Sequence, residues 1–203
     1  MKVAIIAPVR RGLSLGGVRH LEALIECFKR RFPEIDYVIF YPEGSISMFP
    51  SEERKSCVLG ADEYRRGFRG MVEAVNASDC DVVLNLIARP LAGLLKPCVV
   101  IVQNIEPLQH ADYKMSFVWR ARLLALRFEH KRACRQASVV IAVSEHVKNW
   151  LMKRFQLAGE RIEVVYHGVP DSNAVVEQKP ECVQDGGFVF CAGSIVLIGA
   201  MRM

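Results

Sequence analysis

The chain has 203 residues, 51% of them hydrophobic and 24% charged, which suits one good-sized globular domain and excludes a disordered or fibrous polymer. A formal net charge of +5 permits an anionic ligand or membrane surface without requiring either. Seven cysteines, at 27, 57, 80, 98, 134, 182 and 191, show no Cys-x-x-Cys and no His/Cys ligand spacing, so they read as buried or free thiols in a reducing cytoplasm. Residues 3–8, Val-Ala-Ile-Ile-Ala-Pro, predict a first strand, and a single Lys2 with no small-residue cleavage site argues against a signal peptide. A loop with Arg10, Arg11, Gly12 and Ser14 then leads to Gly16 and Gly17 at the start of a helix. Val18, Leu21, Leu24, Ile25, Phe28 and Phe32 line one side of that helix, while Arg19, Glu22, Glu26, Lys29 and Arg30 line the other.

Tyr37 to Tyr41 predicts a second strand, ended by Pro42 and Gly44. Residues 45–60 are polar and irregular and read as a loop. Asp62 can cap a helix carrying Tyr64, Phe68, Met71, Val72 and Val75 at helical spacing, with Gly67 and Gly70 weakening it. Val82 to Ile87 and Cys98 to Val102 follow as strands, the second apolar throughout and so buried on both faces. The whole stretch from Val82 to Val102 is interrupted by Asn85, Arg89, Pro90, Lys96 and Pro97 and does not suit a bilayer span. A polar loop, Gln103 to Pro107, precedes a helix from about Tyr113 to Gln136 whose apolar side is predicted to be Phe117, Val118, Leu124 and Phe128. Ser138 to Val143 is another buried strand. Ser144 can cap a helix with the stripe Val147, Trp150, Leu151 and Phe155, and Ile162 to Tyr166 is the last strand, closing on His167-Gly168-Val169-Pro170.

Strands alternating with helices imply a parallel sheet covered on both faces, and ligands bind such sheets at the carboxyl ends of the strands. That rule gathers Gly16, Gly17, Asn104, Glu106, Ser144 and His167 on one rim. Backbone N–H groups in the first turn of a helix lack intrahelical partners, the helix dipole adds partial positive charge there, and glycines let a phosphate approach without meeting a Cβ. Gly16 and Gly17 therefore make either an anion site or only a tight turn. The pattern is neither Gly-x-Gly-x-x-Gly nor Gly-Lys-Ser/Thr, so no dinucleotide fingerprint or Walker loop is present.

Three segments in this order resemble the N-terminal half of the family 4 glycosyltransferases, which have the GT-B fold. They are Gly16-Gly17 with Val18-Arg19-His20 behind it, Val100 to Asn104, and the long run from Val139-Val-Ile-Ala-Val-Ser144-Glu145 to Arg161-Ile-Glu-Val-Val-Tyr-His-Gly-Val169. Phe188-Val-Phe-Cys-Ala-Gly-Ser194 is similar to the opening strand of that family's second domain. The resemblance implies a Rossmann-like N-terminal domain over residues 1–170, a linker over 171–186, and the start of a C-terminal donor-binding domain over 187–203. It implies transfer of a sugar from a nucleotide-sugar to an acceptor hydroxyl, with retention and without a metal or other cofactor. Gly16 and Gly17 would approach the donor diphosphate. Arg19, His20, Asn104, Glu106 and His110 would line the acceptor side of the cleft, and Ser144, Glu145 and His167 would lie near the cleft and hinge. After Ser194 the sequence departs from the family pattern and stops at Met203, so catalysis is expected to need a donor-binding half supplied from elsewhere. The exposed interdomain face of such a half predicts self-association.

Other patterns weigh less. Asp79-Cys80-Asp81 has the carboxylate spacing of a divalent-metal site, but it opens a strand on the edge opposite the rim and reads as a turn. The histidines at 20, 110, 130, 146 and 167 have no ligand spacing; His110 and His167 follow strand ends. Lys114, Arg120, Arg122, Arg127, Lys131, Arg132 and Arg135 crowd one predicted helix, as a solvated face or as an attractor of anionic lipid or a lipid-linked acceptor. No nucleic-acid-binding module and no nucleophile elbow is present. The competing reading from another class is a non-catalytic α/β module that binds a phosphorylated or acidic ligand, or a partner chain, with the same glycines.

Overall fold

The computed structural model describes residues 1–6, 15–42, 58–59, 68–109 and 116–167, all in the unit Met1–His167. The strands are β1 (Lys2–Ile6), β2 (Asp36–Pro42), β3 (Val58–Leu59), β4 (Val82–Asn85), β5 (Cys98–Val102), β6 (Val139–Ala142) and β7 (Ile162–Val164). Between them run α1 (Leu15–Arg31), α2 (Arg69–Ala77), α3 (Glu106–Gln109), α4 (Phe117–Gln136) and α5 (Glu145–Phe155). The strands form one sheet in the order β3-β2-β1-β4-β5-β6-β7, every neighbouring pair parallel. Val3 lies between Tyr37 and Val82, and Val100 between Asn85 and Val140. The chain builds outward from β1 to one edge, then returns to the other side of β1 as β4. The β1/β4 boundary is thus the topological switch point, where open parallel sheets leave a crevice at the carboxyl ends.

Unbroken runs of Val and Ile form these strands because both faces of the sheet are covered, and successive residues feed opposite cores. Val3 and Ile5 pack with Leu21 and Ile25 of α1, as do Leu84 and Ile101. Ala4 and Ile6 face the other way with Met71, Val72 and Val75 of α2 and Val147, Leu151 and Phe155 of α5; Val100, Val102 and Val140 join that side. In α5 the local signals agree. Ser144 Oγ accepts from the Val147 N–H at 3.2 Å, Val147, Leu151 and Phe155 are buried, and Gln156 ends the helix at φ 57°. Trp150 meets Phe155 edge to face, 5.0 Å between ring centres.

Several sequence expectations need correction. The helix predicted from Asp62 begins at Arg69, because Phe68, read as helical, holds a left-handed φ of 64° immediately before it. Asp62 and Tyr64 lie outside the described residues. The strand predicted to Ile87 ends at Asn85, whose side chain turns the chain. Residues 58–59 of the predicted loop pair with β2, and the last strand ends at Val164.

The largest correction concerns α4, which starts at Phe117 and turns its predicted apolar side outward. Phe117, Val118, Leu124 and Phe128 are 85%, 75%, 47% and 68% exposed, whereas Leu123, Ala133 and Cys134 are buried. Polar contacts fix that orientation. Arg127 Nε donates to the Leu108 carbonyl at 2.9 Å, and Arg89 pairs with Glu129. Within the helix itself, His130 Nδ1 lies 3.0 Å from the Leu126 carbonyl oxygen and does not bear on which way α4 faces.

Candidate functional site

The carboxyl ends of the strands gather the segments that the sequence assigns to a site. The first turn of α1 contains Gly16 and Gly17 and follows β1; Asn104 and Glu106 follow β5; Ser144 and Glu145 follow β6; His167 follows β7. The N–H groups of the first α1 turn have no intrahelical acceptor. That turn contains no acidic residue, while the last turn holds Lys29, Arg30 and Arg31. The positive end of the helix dipole is thus not neutralised by its own helix, and the cations stabilise the opposite end. This end of α1 follows the strand at the switch point, which makes it the candidate anion site of the sheet. Arg19 lies on the same helix.

His20 and His167, both expected in the cleft, do meet. Their ring centres are 4.9 Å apart with planes at 86°. Val165 first continues the sheet by donating its N–H to the Ala142 carbonyl at 2.9 Å, and two residues later His167 reaches α1. The contact ties the end of β7 to the second turn of the helix that carries the glycines. Burial of the His20 ring lowers its pKa, and the neighbouring His167 charge lowers it further. His20 Nε2 is buried without a hydrogen-bond partner among the described residues, which costs stability unless another group completes it.

The remaining predicted residues divide. Ser144 stands on the rim but its hydroxyl caps α5, so its first role is structural. Glu145 opens α5 and is exposed, and Asn104 is exposed in the loop after β5. Glu106 begins the short α3. His110 lies outside the described residues.

Sequence reasoning passed over Asn85, the buried polar residue at the end of β4, 1% exposed. Its Nδ2 donates to the Arg89 carbonyl at 2.8 Å and its Oδ1 accepts from the Ile87 N–H at 3.2 Å. The turn it builds includes Ala88 at φ 49° and flanks the switch point opposite α1. A lone Asn closing an apolar strand was the available signal.

On the opposite edge, Asp79 and Asp81 hold the start of β1. Lys2 Nζ lies 2.7 Å from Asp79 Oδ1, and the Lys2 N–H donates to Asp81 Oδ2 at 2.7 Å. The lysine hydrogen bond lowers the Asp79 pKa. Burial pushes the Cys98 thiol up to about 11 and the Cys134 thiol up to about 12, so neither is a thiolate nucleophile near neutrality.

The family model described as Glycosyltransferase Family 4 matches residues 16–173. Among solved structures, the lipopolysaccharide outer core galactosyltransferase WaaB, in its apo form, aligns at 16% identity with a TM-score of 0.50 over 83% of this chain and 46% of that one. The wall teichoic acid polymerase TagF aligns at 11% identity and a TM-score of 0.48, over 81% of this chain and 38% of that one. The chain therefore spans less than half the length of each of these structures. The search of curated proteins finds no match.

Proposed function

The chain belongs to glycosyltransferase family 4, residues 16–173 matching its model, and from that premise we propose that it forms the acceptor-side half of an enzyme moving a sugar from a nucleotide-sugar to a hydroxyl. The observation that carries this reading is the first turn of α1: two glycines, no acid, and a place at the switch point of a parallel sheet. As a glycosidic bond to a nucleoside diphosphate breaks, negative charge grows on the departing phosphate oxygens. Fixed N–H donors aimed at that charge lower the barrier without reorganising at the moment of reaction. In this reading Gly16 and Gly17 receive the diphosphate. We assign Arg19, His20, Asn104, Glu106 and His110 to the acceptor side, and Glu145 and His167 to the border of the cleft. Ser144 contributes by fixing α5. No side chain is assigned as the base that deprotonates the acceptor.

The nucleotide-sugar itself needs a second wall, which we assign to a donor-binding domain outside Met1–His167, joined by the segment 171–186 or supplied by another chain. The acceptor we propose is a lipid-linked or polysaccharide hydroxyl, reached from the cytoplasm, with retention at the anomeric carbon.

The test is release or transfer of label from a panel of radiolabelled nucleotide-sugars, with and without a family donor domain added. Turnover should appear with the donor domain and fall by on the order of a hundredfold in Gly17→Val, whose side chain occupies the phosphate approach. Equal turnover in Gly17→Val would remove α1 from the mechanism. Anion binding without turnover beside a supplied donor domain would favour the non-catalytic module.

A further inference from the structure

We propose that the outward face of α4 is a docking surface for an anionic lipid bilayer. In its first third, residues 117–122 are all exposed. Phe117, Ala121, Leu124 and Phe128 recur every three or four residues and so share one stripe, and all four are exposed. Arg132 extends the same stripe and Arg120 borders it, both exposed. Trp119 is 55% exposed and carries the Arg122 guanidinium 5.3 Å from its ring centre, an amphipathic pairing suited to a headgroup layer.

Charge selects the occupant. Arg120, Arg122 and Arg132 of α4 are all exposed, and its one acid, Glu129, is paired with Arg89. A second copy docked by the same face would set these cations against their own duplicates, which a two-fold interface cannot avoid. A bilayer bearing anionic headgroups neutralises them while its acyl boundary takes the phenylalanines. No described helix is long and apolar enough to cross a membrane, so the contact is interfacial. The inward face stays anchored meanwhile, through Arg127 on the Leu108 carbonyl and Arg89 on Glu129. That anchoring commits the phenylalanines to the outside, in contrast to a helix whose apolar side faces its own core.

The experiment is co-sedimentation of the full chain with phosphatidylcholine vesicles, with or without a minor fraction of phosphatidylglycerol, at low and molar salt. It uses neither nucleotide-sugar nor acceptor, so its outcome is separate from that of the transfer assay. Binding should require phosphatidylglycerol and weaken at high salt. Phe117→Ser with Phe128→Ser should weaken it on the order of a hundredfold if both rings are desolvated. Arg120→Gln with Arg132→Gln should weaken it roughly 30-fold, from about 1 kcal/mol per cation at the surface. Leu95→Ser, at an 85% exposed apolar residue outside α4, should leave it unchanged. All these positions are exposed, and circular dichroism checks that each variant folds. Equal binding to uncharged vesicles, no binding, or insensitivity to both double substitutions overturns the proposal. So does a dimer in ultracentrifugation that the phenylalanine pair dissociates, which would make the occupant a second copy.

Discussion

Helices α4 and α5 look alike in sequence and lie in the fold in opposite senses. Each presents large apolar residues at helical spacing, yet Val147, Leu151 and Phe155 of α5 are buried while Phe117, Leu124 and Phe128 of α4 are exposed. The difference is in what else each helix carries. α5 has a hydroxyl cap that sets its start, and its buried stripe carries the packing against the sheet. α4 is oriented by Arg127 reaching the Leu108 carbonyl and by Glu129 meeting Arg89. A charged group that is part-buried must be satisfied, and meeting that demand can outweigh where a few apolar side chains would otherwise go. Spacing identifies a stripe; polar partners decide which way it faces.

The largest effect that sharpens this contrast is in the core. Leu151→Ala, at a fully buried position of α5, should cost roughly 3 kcal/mol in urea unfolding, whereas Leu124→Ala on α4 should stay within about 0.5 kcal/mol. Similar losses at the two positions would break the comparison.

The caps give a smaller version of the same test. Ser144→Ala removes the bond to the Val147 N–H and should cost about 1 kcal/mol, while Ser116 makes no side-chain cap and Ser116→Ala should be near neutral.

The smallest effect is a pH dependence on the anchored side of α4. Burial pushes the His130 pKa from its ordinary 6.5 to about 4. The unfolded chain therefore takes up a proton near pH 6.5 that the folded chain takes up only near 4, so below about 6.5 the unfolded state binds more protons. Stability should fall as pH drops through that window and be independent of this group above it. Unfolding midpoints at pH 7 and pH 5 should differ less in His130→Gln than in the unmodified chain. A residual dependence is expected because His20 shifts in the same direction. An unchanged difference would place His130 in contact with solvent.

How much was legible follows the same division. The parallel α/β sheet was readable because buried strands demand unbroken Val and Ile runs: Cys98 to Val102 was predicted residue for residue, and Ser144 marked the start of α5. The rim was readable because a parallel sheet puts all its strand-to-helix loops at one end. The contact of His20 with His167 was not, since no spacing in sequence reports that a segment beyond the last strand reaches the first helix. Asn85 was missed because one polar residue ending an apolar run resembles any strand end until its two hydrogen bonds are seen. Phe68 was assigned to a helix by spacing alone, which carries no information about a left-handed φ. The outward face of α4 was misread for the reason given above: partners far along the chain orient it.

The account stands most directly on the amides of Gly16 and Gly17. Titrating the ¹⁵N-labelled chain with nucleoside diphosphates while recording amide shifts should move those two resonances first and saturably, and Gly17→Val should abolish the response. Shifts confined to other amides, or a Gly17→Val chain that binds as tightly, would contradict it.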